Sequence, residues 1–206
     1  MSHQYVLALR FALVNLAGFA LVISAYFQGW LQGLFVQYTS TLSVIMCAVF
    51  LYGLGICGVK IWQTSTALND IRSGSPKPAS RAAIYLAAIN GGPEQNRSIL
   101  VNMLRLKISH KVSIIRQISN SLVFLGLIGT VIGFIIALSG VDAKTASDVT
   151  AISTMVGTLI SGMSLALYTT LLGAVLSVWM TVNHRILATG SVNLLTAIVE
   201  LGEARG

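Results

Sequence analysis

Apolar residues in this chain come in long blocks, not in alternation. The block at residues 121–140, SLVFLGLIGTVIGFIIALSG, carries neither charge nor proline over twenty residues, enough for a helix to cross the roughly 30 Å hydrocarbon core of a bilayer. Residues 11–30, 41–59 and 165–182 repeat the pattern. The expected fold is therefore an all-α integral membrane protein with four transmembrane helices. The segments are expected as follows: 1–60 a first pair of spans, 61–118 a cytoplasmic helical segment, 119–185 a second pair with a short connection, and 186–206 a tail.

Within the third block, Gly126, Thr130, Gly133 and Ala137 follow at steps of four, three and four, which places four small residues on one helical face. The same steps return in the fourth block at Ala166, Thr170, Gly173 and Ser177. Such faces draw a second helix close. A lone threonine in hydrocarbon usually bonds the carbonyl three or four residues back, but two in matching stripes also fit a shared polar track between helices.

The first span ends in Tyr26 and Trp30, and the second closes on Lys60 and Trp62, side chains that sit at headgroup level. A signal peptide competes for the first block. Against it, the apolar run is long and no A-x-A site follows. Residues 31–40 are short enough for a hairpin only. Gly53, Gly55 and Gly58 allow either close helix contact or a bend.

Between Ile61 and Ile118 the chain turns polar. Pro76 and Pro78 end a helix that continues the second span, Ser80 caps a short helix at 81–90, and Gly91 and Gly92 stop it. Pro93 suits the first turn of the next helix. Ile99, Met103, Leu106, Val112, Ile115 and Ile118 then keep a helical period that runs directly into the third span.

Composition confirms the membrane reading: 55% of residues are hydrophobic and 9% charged. The net charge of +7 raises nucleic acid as a partner. However, nine of the thirteen Lys and Arg lie between Lys60 and Arg116, between apolar blocks, which is a positive-inside signal and not a nucleic-acid footprint. That segment is expected in the cytoplasm, where its charges form a solvated face or meet anionic lipid or an acidic partner. Residues 140–162, with Asp142, Lys144 and Asp148, are expected outside, and both termini inside. Cys47 and Cys57 are ten residues apart on one helix, so they read as small buried residues, not a disulfide. His3, His110 and His184 are scattered, so no metal site, cofactor or hydrolytic or redox enzyme is expected.

LGLIGTVIGF at 125–134 and GMSLALYTTLLGAV at 162–175 together resemble the MotA/TolQ/ExbB proton-channel family. The resemblance covers roughly residues 120–182 and rests on G-x-x-G-T-V-x-G in one span and A-L-x-x-T-x-x-G in the next. It implies a subunit of a bacterial inner-membrane, proton-driven motor, with Na+ as the alternative ion. Five copies would ring two copies of a single-span partner of the MotB/TolR/ExbD type, whose intramembrane aspartate takes up a proton outside and releases it inside. Thr130, Thr170 and Thr169 would lie on the ion pathway. Gly126, Gly129, Gly133, Ala137, Ala166, Gly173 and Ser177 would form the packing and pore face.

The sequence fits such a partner in one respect. Its four apolar blocks contain no Asp, Glu, Lys, Arg or His, and a hydroxyl alone cannot hold and release a proton. Departures from the family pattern are Leu165 where ExbB and TolQ members often have glutamate, Thr169 where alanine is usual, and the absence of prolines from the spans. Four spans agree with MotA topology, yet Asp70 and Glu94 are the only acids of the cytoplasmic segment. Two other functions remain in view: a non-conducting oligomeric scaffold, which glycine faces also suit, and a self-sufficient transporter, which the lack of ionisable or broken-helix sites disfavours.

Overall fold

A computed structural model describes residues 6–28, 41–72, 95–141 and 149–203. All four segments are helices: α1 (Val6–Phe27), α2 (Thr41–Arg72), α3 (Gln95–Ser139) and α4 (Val149–Glu203). Among the described residues there is no strand. The hairpin at 31–40, the short helix at 81–90 with its Ser80 cap, and the charges Asp142, Lys144 and Asp148 lie outside them.

Each apolar block falls inside one helix, because a helix satisfies its own backbone donors and acceptors where water is absent. α3 joins the polar stretch to the third span without a break, as its hydrophobic period predicts. Its 45 residues measure about 68 Å at 1.5 Å per residue, over twice the hydrocarbon thickness. Gly140 follows its end, where the Val141 amide bonds the Leu138 carbonyl at 3.1 Å.

α4 differs from expectation at both ends. It starts at Val149, within the stretch read as a connection, and runs through to Glu203, so residues 186–203 continue the final helix instead of forming a separate piece. Nothing in that stretch stops it. No proline occurs there, and Leu187, Leu194 and Ile198 keep one face buried at steps of seven and four.

The chain divides into two compact units. One draws on the described residues of Met1–Gly18, Gly53–Arg116 and Thr181–Gly206, with Ile71, Leu194 and Ile198 packed against Ala67, Leu68, Val101 and Ala197. The other comprises Phe19–Tyr52 and Gln117–Met180, in their described parts. There the Trp179 ring lies 5.1 Å from Phe19, edge to face, and 5.0 Å from Phe50.

In the second unit the usual burial pattern is inverted along α3. Small residues face inward, while Leu127, Ile135 and Leu138 stand 59%, 62% and 65% exposed. A row of large apolar side chains facing outward matches lipid or another subunit, not water.

Candidate functional site

The candidate site is the contact between α3 and α4 in the second unit, and glycine makes it. A Cβ on Gly133 would stand 2.6 Å from the Ala166 amide nitrogen and the Gly162 carbonyl oxygen, and one on Gly173 would stand 2.8 Å from the Leu122 carbonyl oxygen. Both distances are below any ordinary carbon contact. The backbones therefore touch, from the level of Leu122 and Gly173 to that of Ala137 and Gly162. Positions rise along α3 as they fall along α4, so the helices run antiparallel here.

Gly126, Gly129, Gly133, Ala137, Ala166, Gly173 and Ser177 are all buried, and they share this contact or its immediate continuation. At its other end Ser119 donates to the Ser177 carbonyl at 2.9 Å, and the two hydroxyls lie 3.1 Å apart. A hydroxyl pair seals the seam where the stripe of glycine stops.

The threonines divide. Thr169 is 1% exposed and fills the notch left by Gly129. Its hydroxyl donates back to the carbonyls of Leu165 and Ala166, at 3.0 Å each. Thr130 is half-buried and donates to the Leu127 carbonyl of its own helix. Thr170, more exposed, reaches across the seam to the Gly126 carbonyl at 3.3 Å.

The buried stripe thus holds Gly129 and Thr169 where the four-three-four spacing places Thr130 and Thr170. Among the described residues no hydrogen bond links the Thr130 and Thr170 hydroxyls directly. Both lie at the margin of the seam, one on each helix, with Thr130 partly exposed and Thr170 exposed. Every hydroxyl on this face is able to donate and accept without changing charge.

Two polar residues outside this seam were not singled out from sequence. In the first unit Asn15, the one buried residue of α1, donates to the Asn183 side-chain oxygen at 2.8 Å and to the Phe11 carbonyl at 2.7 Å. Asn183 returns a bond to the Asn15 oxygen at 3.3 Å, and the Cys57 thiol lies 3.7 Å from the Asn183 carbonyl. An amide in the middle of an apolar block is the available signal, since it needs a partner wherever water is excluded. Cys57 is buried, Cys47 partly so, and both are free thiols. A Cβ on Gly58 would stand 3.5 Å from the Phe11 ring, whereas one on Gly55 would meet nothing within 4 Å, and α2 continues through both.

Four helices long and apolar enough to cross a bilayer define a multi-pass membrane protein of all-helical class. The family model described as the MotA/TolQ/ExbB proton channel family matches residues 78–200, three-fifths of the chain and all of the α3–α4 seam, and the chain belongs to that family. Its members are ion-channel subunits, not enzymes, and membership supports a stator-type channel role. Comparisons with curated proteins and with solved structures found no match.

Proposed function

We propose that this chain is the channel subunit of a proton-driven stator in a bacterial inner membrane. Several copies, five by family resemblance, surround the membrane helices of a partner that carries the titrating carboxylate. Ion flow through the ring moves the partner relative to it. In this orientation the termini and the polar parts of α2 and α3 face the cytoplasm, in keeping with the positive-inside distribution of Lys and Arg.

The observation that carries the reading is a close-packed α3–α4 seam with Thr130 and Thr170 at its margin, inside apolar blocks that hold no Asp, Glu, Lys, Arg or His. Such a surface orients water and hydrogen-bonds a carboxylate but does not trap the proton itself. The proton must then reside on another chain. Each proton falling through about 100 mV releases roughly 2.3 kcal/mol. That is enough to bias a helix rotation and too little to unfold anything.

Replacing both Thr130 and Thr170 with valine keeps volume and removes the hydroxyls. In proteoliposomes holding the complex with its partner, the double variant is expected to assemble normally and to lose proton flux. Unchanged flux would rule out a role for these hydroxyls in the pathway.

A further inference from the structure

A second candidate site lies in the first unit. A cavity of about 380 Å³ opens among α1, α2 and α4, and two arginines line it, Arg10 and Arg185. Ser65, Thr189 and Asn193 add a hydroxyl, a hydroxyl and an amide; Ser65 is buried, at 4% exposure. Gly190 lies on the wall, where a Cβ would strike the Leu7 side chain, so its lack of a side chain lets α1 come close.

The charge is one-sided. Among the described residues no Asp or Glu lines the cavity and no ion pair neutralises either guanidinium. Arg10 stands immediately before the first apolar block and Arg185 just after the last, so both occupy a membrane–water boundary. They meet at one cavity, which puts them on the same boundary. Planar guanidinium forks bind phosphate oxygens bidentately, and hydroxyl and amide donors complete such a shell.

We infer that this cavity binds a phosphate group, with Arg10 and Arg185 as its charged ligands and Ser65, Thr189 and Asn193 as neutral donors. Two sources share that chemistry. One is the headgroup of an anionic phospholipid, whose chains would lie along the apolar surface beside Ile186 and Leu68. The other is a soluble phosphate ester. The inference is independent of proton conduction and of any partner.

The test uses the full-length protein in mild detergent, with native mass spectrometry to count retained phosphatidylglycerol or phosphatidylcholine. A thermal shift with inorganic phosphate tests the soluble source. Wild type is expected to retain one phosphatidylglycerol per chain in preference to phosphatidylcholine, and R10Q/R185Q to bind it about tenfold more weakly or worse. R10K/R185K keeps the charge without the fork and should fall between them. R105Q/R116Q, which removes the same charge from exposed positions of α3, should bind as wild type does.

A phosphate-induced shift lost in R10Q/R185Q, without lipid retention, supports the same site with a soluble ligand. Should R10Q/R185Q prove unstable, a binding order of wild type above R10K/R185K still supports the site. Equal ligand response in wild type, R10K/R185K and R105Q/R116Q would overturn the inference. So would equal loss in R10Q/R185Q and R105Q/R116Q.

Discussion

Asn15 and Asn183 show how a few polar atoms are managed inside an apolar chain. Each amide occupies the other, and the Asn15 amide also donates a hydrogen bond to the Phe11 carbonyl of its own helix. Removing one partner leaves a buried amide short of a bond. Asn183→Leu is therefore expected to lower stability by about 1–2 kcal/mol. Asn15→Leu/Asn183→Leu should lose no more than the single variant, because no amide is then left stranded. Denaturant unfolding in detergent micelles reads both, and additive losses would contradict the pairing. An amide in the middle of an apolar block signals the need for a partner, a signal the sequence reading did not use at Asn15. Which partner it takes is not legible from sequence, because the two lie 168 positions apart and only the fold brings them together. Thr169, beside the motif threonine Thr170, packs into the Gly129 notch, and its hydroxyl donates to carbonyls of its own helix.

At the scale of elements, the α3–α4 contact was the most legible part of the fold. Its glycines and alanines could be picked out directly, because close approach of two backbones demands small residues at steps of three and four. The fine register was less legible. Successive residues turn by about 100° around a helix, so spacing alone does not choose between Gly129 and Thr130, or Thr169 and Thr170, as neighbours of the same stripe. Packing chooses Gly129 and Thr169, since the Thr169 side chain fills the Gly129 notch. The charged boundary at Arg185 suggests an end to the final span, but the intact period of Leu187, Leu194 and Ile198 carries α4 on to Glu203. Gly133→Ala puts a methyl group against backbone atoms of α4 and is expected to destabilise the chain by about 1–3 kcal/mol. Gly55→Ala, with nothing within 4 Å, should be neutral or stabilising by up to about 1 kcal/mol. Thermal unfolding of the two variants side by side checks the contrast, and equal effects would contradict a backbone-close seam.

At the scale of the whole molecule, a membrane protein follows from the apolar blocks, while assembly is an expectation that rests on the family resemblance alone. The physical reason lies in the outward faces. Leu127, Ile135 and Leu138 offer the same apolar surface to lipid as to a second subunit, and nothing in their chemistry tells the two apart. The proposed ring would account for apolar blocks without Asp, Glu, Lys, Arg or His, because a partner at its centre would provide the carboxylate. The measurement that tests this most directly is the intact mass of the complex, purified from its native membrane in mild detergent. The ring predicts five copies of the 21.9 kDa chain together with two copies of a small co-purifying protein bearing one apolar span and an aspartate within it. A stable monomer or dimer with no such companion would contradict the stator and leave a membrane scaffold as the better description.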